Sequence, residues 1–338
     1  MVKLVIDKLP LGFEPSPDDY PENRQAGFDK SCKQIQFNDG KPSACMSAVA
    51  EIALRIEATL GEGALWDAAT QRLLWVDITQ KRVGRFDPVS GANEVFQLDS
   101  MVGTVVTTTR GDLLVALREG VARLDPTSGK VSGLRCPAGH DATRIRFNDG
   151  KCDPRGRLWA GTMALDFATG AGALYCFDPD GTVSARVPQV SISNGIVWSH
   201  DHRRMYYIDS PTRAVDVFDY DAATGAIANR RHAWELPEGW GFPDGMTIDA
   251  EGKLWIALWG GAAVVRFDPE AGRVLDKIAV PAAHVTSCAF GGPDLKSLFI
   301  TTAREGRSPE QLAQEPLAGS IFVARPGVSG VGAFSYRG

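Results

Sequence analysis

Four side chains that end in a carboxylate or amide oxygen recur at one phase of a repeat in this sequence. They are Glu62, Asn148, Asn194 and Asp244, and each stands ten or eleven residues ahead of a short apolar segment. Convergent Glu, Asn and Asp oxygens without Cys or His are typical ligands of a hard or borderline divalent cation. A cation would also offset the repulsion between two carboxylates in a low-dielectric site. These four positions are therefore candidates for a metal site.

A simpler interpretation is that Asn194-Gly195 and Asp244-Gly245 form ordinary tight turns, in which Asn or Asp before Gly is common. Gly103 and Ser287 occupy the two remaining equivalent positions of the repeat. The recurrence of oxygen-bearing residues at one phase of a repeat favours the site over the turns.

The elements that must position these residues are short strands. Six apolar segments follow polar turns and start 40 to 49 residues apart, at 73–76 (LLWV), 113–116 (LLVA), 158–161 (LWAG), 205–208 (MYYI), 254–257 (LWIA) and 298–301 (LFIT). Five are followed by a second segment that closes on a turn, as at 85–88 (RFDP) and 266–269 (RFDP), whereas the sixth is followed by 321–324 (IFVA). Short runs of β-favouring residues bounded by Asp, Gly and Pro indicate strands.

A period of about 40 to 50 residues with four strands matches one blade of a β-propeller. The sequence therefore predicts an all-β fold, a six-bladed β-propeller of four-stranded blades. A β-sandwich would not show so regular a period, and an α/β fold would need amphipathic helices that the sequence lacks. In a propeller, equivalent positions at the start of the innermost strands surround one mouth of the central channel, so the candidate oxygens should meet there.

Bulk properties exclude several classes of function. The chain has 338 residues with 44% hydrophobic and 23% charged residues, and its net charge of -5 argues against a nucleic-acid partner. No apolar run reaches the roughly 20 residues of a membrane-spanning helix, and the first residues do not form a secretory signal. The six cysteines contain no Cys-x-x-Cys pair. Reduced thiols in a cytoplasmic protein without a membrane partner are therefore expected.

Residues 1–50 differ from the rest of the chain. Pro10, Pro15, Pro17 and Pro21 interrupt a polar stretch that has no sustained period. We expect these residues to form an N-terminal extension that is poorly ordered or foreign to the native protein, with Met46 as the functional start. The propeller domain is expected to span residues 51–338.

Six motifs carry a resemblance to a known family. They are 61–66 (GEGALW), 146–151 (RFNDGK), 160–163 (AGTM), 193–195 (SNG), 243–246 (PDGM) and 289–292 (AFGG). Together they resemble the SMP-30/gluconolactonase/LRE family, which includes regucalcin-type gluconolactonases and bacterial sugar lactonases. The resemblance extends, blade by blade, over about residues 55 to 325. It implies a six-bladed propeller with one divalent ion at the channel mouth, the ion being Ca, Zn, Mn, Mg or Fe(II).

The resemblance also implies individual roles. Glu62, Asn194 and Asp244 match the metal ligands of the family, Asn148 a residue near the metal and the substrate, and Arg146 a residue that contacts sugar oxygens. Asp166 stands where animal members often carry Glu, which implies a contact with substrate.

The reaction that follows is metal-assisted opening of a sugar lactone to the aldonic acid, with Asp244 as the catalytic base. Arg146, Asn148 and Asp166 would bind the substrate. Two alternatives stay open: a propeller that binds calcium or another ligand without turnover, and a related propeller hydrolase of aryl esters or organophosphates. A serine hydrolase is disfavoured because Gly-x-Ser-x-Gly is absent.

The tryptophans suggest two kinds of environment. Trp66, Trp75, Trp159, Trp198 and Trp255 occupy repeated strand positions and are expected to pack between blades. Trp240 and Trp259 border the Asp244 strand, where either packing or an aromatic wall against a sugar ring is possible. Arg304 is a further candidate for the channel mouth.

Overall fold

The structure is a computed structural model that describes residues 46–338, and almost all of its regular structure is β. The strands are β1 (Met46–Val49), β2 (Glu51–Leu54), β3 (Gly61–Asp67), β4 (Arg72–Asp77), β5 (Arg82–Phe86), β6 (Asn93–Gln97), β7 (Val102–Thr107), β8 (Leu113–Leu117), β9 (Gly120–Leu124), β10 (Val131–Arg135), β11 (Ile145–Cys152), β12 (Leu158–Ala164), β13 (Gly172–Phe177), β14 (Val183–Val190), β15 (Ser193–Trp198), β16 (Arg204–Asp209), β17 (Ala214–Asp221), β18 (Ala226–Glu235), β19 (Phe242–Ile248), β20 (Leu254–Trp259), β21 (Ala263–Asp268), β22 (Arg273–Ala279), β23 (His284–Gly291), β24 (Ser297–Ala303) and β25 (Ile321–Ala324). A short helix, α1 (Pro309–Gln314), lies between β24 and β25. The predicted all-β class is confirmed.

Each apolar segment of the repeat forms the second strand of an antiparallel unit. Strands β3–β6, β7–β10, β11–β14 and β15–β18 make four separate four-stranded sheets. The other strands share one nine-stranded sheet, in which β19–β22 join β23–β25 through the single pair Trp259 and His284. Strand β2 pairs with β25. A strand from the start of the described chain is thus added to β23–β25, the last strands of the chain.

The first strands of these units form a closed ring. In chain order β3, β7, β11, β15, β19 and β23 each contact the next, and β23 returns to contact β3. The sheets therefore radiate from a central channel in the manner of a β-propeller. The starts of all six inner strands lie at one end of this channel, which we call the mouth.

The sheet extends beyond the expected start of the domain at residue 51. Strand β1 pairs in parallel with β22, Met46 being opposite Lys277. The chain thus joins the propeller five residues earlier than the sequence indicated. Residues 1–45, with the expectation of poor order, lie outside the described part of the chain.

The tryptophans of the repeat are buried between sheets, as expected. Trp66 of β3 stacks on Phe299 of β24 with ring centroids 5.7 Å apart, and Trp159 contacts Trp198 edge-on at 6.0 Å. The indole N–H of Trp159 also donates to Asp153 at 3.0 Å. Large aromatic side chains thus fill the space between neighbouring units and hold the ring together.

The end of the channel opposite the mouth is covered by the C-terminal tail, residues 325–338. Gly330 pairs with Asp249, and Tyr336 pairs with Thr108, so the tail crosses several sheets. Tyr336 is buried, and its hydroxyl donates to the carbonyl oxygen of Asp178 at 2.9 Å. A cavity of about 320 Å³ lies under this tail.

Among the described residues, no helix is long and apolar enough to cross a membrane.

Candidate active site

The inner strands are irregular at the positions where the candidate residues stand. The register of pairing shifts between Glu62 and Leu65 in β3, and the equivalent shifts in β15 and β19 begin at Ser193 and at Pro243. A β-bulge of this kind breaks the strict alternation of side chains and can re-aim one of them. The same kind of β-bulge therefore recurs at these candidate positions.

The glycines after the candidate residues allow the inner strands to approach each other. A Cβ on Gly195 would lie 2.7 Å from the carbonyl oxygen of Asp244, and one on Gly245 would lie 2.7 Å from the Ser287 hydroxyl. Both glycines lie inside strands, β15 and β19. The interpretation of Asn194-Gly195 and Asp244-Gly245 as ordinary tight turns is therefore wrong, because close packing of strands explains the glycines.

Glu62 and Asp244 are two buried carboxylates at the mouth, with 5% and 4% of their surface exposed. Burial, with the charge of Asp149 as a second cause, raises the pKa of Glu62 to about 8. Burial and the charge of Glu62 raise the pKa of Asp244 well above its ordinary value. The charge of Glu62 thus disfavours ionisation of Asp244, as expected for two carboxylates at equivalent positions around one mouth.

The two candidate amides are joined in a hydrogen-bonded chain. The side-chain amide of Asn148 donates to the carbonyl of Ser193 at 2.8 Å and to Oδ1 of Asn194 at 3.1 Å. Asn194 donates to the Ser210 hydroxyl at 2.7 Å, and Ser210 donates to the carbonyl of Pro243 at 2.6 Å. Asn194 is thereby held against the strand that carries Asp244.

Arg146 supplies a buried positive charge to the same group. One of its nitrogens, Nη1, donates to Oδ1 of Asn148 at 2.6 Å, which fixes the orientation of that amide. Burial lowers the pKa of Arg146, whereas the carboxylates of Glu305, Glu62 and Asp244 oppose this shift. Five of the six predicted site residues, namely Glu62, Arg146, Asn148, Asn194 and Asp244, therefore lie in one cluster.

Asp166 is the predicted site residue that the structure does not join to the cluster. It is exposed in the turn after β12, and its carboxylate accepts a hydrogen bond from the backbone of Ala168 at 3.2 Å. This turn follows the strand paired with β11, so Asp166 lies at the mouth end of the propeller. Its contact with substrate stays a prediction.

The other mouth candidates have structural partners. Trp240 lies under Lys277, whose Nζ is 4.8 Å from the ring centroid. Trp259 stacks on His284 at 4.0 Å, and Arg304 forms an ion pair with Glu57 at 2.9 Å. Each tryptophan thus has a packing partner, Arg304 is directed to a neighbouring carboxylate, and a contact of Trp240 or Trp259 with substrate stays a prediction.

Three residues of the site had no role in the sequence-based prediction. Asp149 adds negative charge to Glu62 and Asp244, Ser210 anchors Asn194, and Glu305 acts on Arg146. Asp149 directly follows Asn148 in the motif RFNDGK, so its acidity beside a candidate residue was a usable signal. Ser210 begins a short 3₁₀ helix after β16, and Glu305 lies in the loop after β24. Both are outside the repeated segments, where the period gives no information.

The cluster fits a divalent cation by its donor chemistry. The donors are two carboxylates, Glu62 and Asp244, together with side-chain amides. Residues 46–338 contain no group of three or more His, Cys, Asp or Glu side chains placed to hold a metal, so the amide oxygens would have to complete the site. Oδ1 of Asp244 is buried and has no hydrogen-bond partner among the described residues. A cation would satisfy this oxygen and offset the repulsion between Asp244 and Glu62.

A closed ring of inner strands with a charged cluster at one mouth defines a β-propeller protein with a channel site. The sequence from residue 60 to 304 matches the model of the SMP-30/Gluconolactonase/LRE-like region. The chain belongs to this family, which confirms the resemblance carried by the six motifs.

Relatives extend over nearly the same length. Regucalcin of Gallus gallus is 40% identical over 285 residues, which is 82% of this chain and 95% of the relative. The Bacillus subtilis protein named "Putative sugar lactone lactonase YvrE" is 39% identical over 281 residues, covering 83% and 95%. The crystal structure of a calcium-binding protein, regucalcin, from Agrobacterium tumefaciens has a TM-score of 0.81 at 30% identity, covering 86% of this chain and all of that one. The family supports a sugar-lactonase or regucalcin-like function.

Proposed function

We propose that this protein is a divalent-metal-dependent hydrolase that opens an aldono-1,4- or aldono-1,5-lactone to the aldonic acid in carbohydrate catabolism. The observation that carries the proposal is the buried pair of Glu62 and Asp244 at the mouth, with the unpartnered Oδ1 of Asp244. The name of the Bacillus subtilis relative supports the same reaction class.

Glu62, Asn194 and Asp244 are the residues that would hold the ion. When bound, a divalent ion polarises an ester carbonyl and stabilises the charge that develops on its oxygen, which is worth several kcal/mol of barrier. Because all the donors are oxygens, the site chemistry suits Ca, Zn, Mn, Mg or Fe(II) without selecting one.

Asp244 is the group that we assign to proton transfer. Its carboxylate is buried at the mouth, and a carboxylate that holds the ion through one oxygen can accept a proton on the other. It accepts a proton from the water that adds to the lactone carbonyl carbon. As the bond between that carbon and the ring oxygen breaks, Asp244 returns the proton to the departing alkoxide. The products are a free hydroxyl group and a carboxylic acid, which ionises to the carboxylate and releases the second proton of the water.

Arg146 and Asn148 orient the substrate. Nη1 of Arg146 donates to Oδ1 of Asn148 at 2.6 Å and to the carbonyl of Phe147 at 3.1 Å, which leaves Nε and Nη2 without a partner among the described residues. These groups can bind hydroxyl or carbonyl oxygens and hold the ester carbon within reach of the attacking water. Asp166, on the exposed turn after β12, would contact a more distant hydroxyl group.

The proposal includes a propeller of six blades. We take the nine-stranded sheet as two blades, one of β19–β22 and one of β23–β25 with β2, which makes six blades in all. The closed ring of six inner strands supports this count.

We further propose a cytoplasmic protein whose partner is a small sugar lactone, not a nucleic acid or a membrane.

A panel of lactones tests the proposal. Acid release from gluconolactone, galactonolactone, arabinonolactone and xylonolactone is followed with a pH indicator in the presence of Mn²⁺, Zn²⁺ or Ca²⁺. We expect metal-dependent opening above the spontaneous rate, and its loss in Asp244→Asn with the fold retained. Full activity in that variant would reject the role of Asp244. Faster turnover of aryl esters or organophosphates than of any lactone would reject the substrate class.

Calcium binding without turnover is the second candidate function. It is favoured by the all-oxygen donor set and by the description of the Agrobacterium tumefaciens structure as a calcium-binding protein. The same panel separates the two. Calcium binding without acid release from any lactone would select the binding protein.

A further inference from the structure

Glu305 is a carboxylate that the structure places beside the start of β3. It stands two residues after the end of β24, and its backbone N–H donates to the carbonyl of Thr59 at 2.8 Å. Leu60, the next residue, pairs with Ala303. Since Glu62 follows two residues later on β3, the backbone of Glu305 is fixed close to a candidate metal ligand.

The side chain of Glu305 is held by a second sheet and keeps one oxygen free. The hydroxyl of Thr79, in the turn after β4, donates to Oε2 of Glu305 at 2.6 Å. Oε1 accepts no hydrogen bond from any residue in the described part of the chain. The carbonyl of Glu305 also accepts from Nδ1 of His284 at 2.9 Å. Contacts to three different segments thus fix the position of this half-buried carboxylate.

Arg146 is a buried cation of the same mouth, at the start of β11. After burial, Glu305 has the largest influence on the pKa of Arg146, ahead of Glu62 and Asp244. Nevertheless, no nitrogen–oxygen pair of Arg146 and Glu305 lies within the 4.0 Å of a salt bridge. Nε and Nη2 of Arg146 and Oε1 of Glu305 thus have no hydrogen-bond partner in the described part of the chain.

A hydroxyl group can bind both side chains at once because it both donates and accepts a hydrogen bond. We propose that Glu305 and Arg146 form a hydroxyl-binding pair on the wall of the mouth, and that Glu305 makes the site select polyhydroxylated lactones. The hydroxyl donates to Oε1 of Glu305 and accepts from the guanidinium of Arg146. This inference rests on the proposed lactonase function and adds a specificity-determining residue to it.

Two lactones of equal ring size test the pair. D-glucono-1,5-lactone carries hydroxyl groups and δ-valerolactone has none, so only the first can use the pair. In Glu305→Gln we expect KM for gluconolactone to rise about tenfold, the size of one lost hydrogen bond to a charged group. We expect kcat to change less than about twofold and both constants for δ-valerolactone to stay the same, since a hydrogen bond to a non-reacting hydroxyl contributes equally to the bound substrate and the transition state. Unchanged KM for gluconolactone, or an equal loss on both lactones, would overturn the inference.

Glu57→Gln is the matched control. It also removes one negative charge, from a carboxylate that forms an ion pair with Arg304. Arg304 directly precedes Glu305 in the chain, and the Glu57 side chain is 79% exposed. This variant should behave as wild type on both lactones. A rise in KM equal to that of Glu305→Gln would mean that net charge at the mouth, not a specific hydroxyl contact, sets the preference.

Thr79 tests the positioning of the carboxylate. Thr79→Val removes the hydroxyl that holds Oε2 and should raise KM for gluconolactone by a smaller factor than Glu305→Gln, whereas Thr79→Ser should restore the wild-type value. Failure of Ser to rescue Val would contradict the anchoring role.

Direct binding separates failure of this inference from failure of the proposed function. If the wild type opens neither lactone with any metal, the lactonase proposal falls, and the pair is then tested by calorimetric titration with sorbitol. We expect Glu305→Gln to weaken sorbitol binding about tenfold. Equal affinity in the two proteins, or no binding to the wild type, would overturn the hydroxyl-binding pair.

Discussion

Removal of one carboxylate from the mouth should stabilise the metal-free protein. In Glu62→Gln the buried charge next to Asp244 is replaced by a neutral amide of similar size. The pKa of Glu62 rises from 4.5 in the unfolded chain to about 8 in the folded protein. The folded carboxyl therefore keeps its proton over a range in which the unfolded carboxyl ionises, and the free energy of unfolding falls as pH rises from 4.5 to 8.

The size of this effect follows from the shift. At pH 7 the wild type should have lost about 3 kcal/mol of its free energy of unfolding, at about 1.4 kcal/mol per pH unit above 4.5. Glu62→Gln does not suffer this loss. We expect the metal-free variant to be more stable than wild type by about 3 kcal/mol at pH 7 and equally stable near pH 4.5.

Urea unfolding in the presence of a chelator measures this difference at pH 4.5, 7 and 8. Asp166→Asn is the matched control, because Asp166 is an exposed carboxylate at the same end of the propeller and should give no difference. Addition of a divalent ion should reverse the order, since it stabilises wild type and has little effect on Glu62→Gln. A metal-free Glu62→Gln protein that is less stable than wild type at pH 7 would refute the reasoning.

Four further substitutions test the packing around the site and under the C-terminal tail. Gly245→Ala places a Cβ 2.7 Å from Ser287 and should cost about 1–3 kcal/mol of unfolding free energy in urea. Ser210→Ala removes the anchor of Asn194 and should weaken divalent-ion binding, measured by calorimetry, by about tenfold or more with the fold retained. Tyr336→Ala should lower the unfolding free energy by about 3–5 kcal/mol because a buried ring is lost from the tail, whereas Tyr336→Phe should lower it by about 1 kcal/mol.

Each of these predictions has a control variant or an outcome that would contradict it. Gly332→Ala has no heavy atom within 4 Å of the new Cβ and should be neutral, so an equal loss there would show that the effect is not strand packing. Unchanged ion affinity in Ser210→Ala would show that Asn194 is oriented without Ser210. Wild-type stability in Tyr336→Ala would mean that the tail does not fasten the sheets.

The sequence predicted the strands and the core of the site because both follow the repeat. Glu62, Asn194 and Asp244 were found from their common phase, and the inner strands place equal phases at one mouth. The Asp244-Gly245 pair shows where local sequence misleads. It is typical of a tight turn, but the neighbouring inner strand lies so close that glycine is required within a strand.

The contributions of Ser210 and Glu305 could not be predicted, because they depend on contacts between sheets. Ser210 reaches the carbonyl of Pro243, 33 residues away, and Glu305 is bound by Thr79, 226 residues away. Neither contact has a local pattern. The tail that carries Tyr336 likewise follows no repeat, and its position is set by the surface it covers.

Anomalous diffraction from crystals soaked in Mn²⁺ or Ca²⁺ tests the central claim most directly. We predict one strong peak at the mouth, with oxygens of Glu62, Asn194 and Asp244 about 2.0–2.6 Å away. A protein that binds a divalent ion elsewhere and shows no peak between these three side chains would contradict the account.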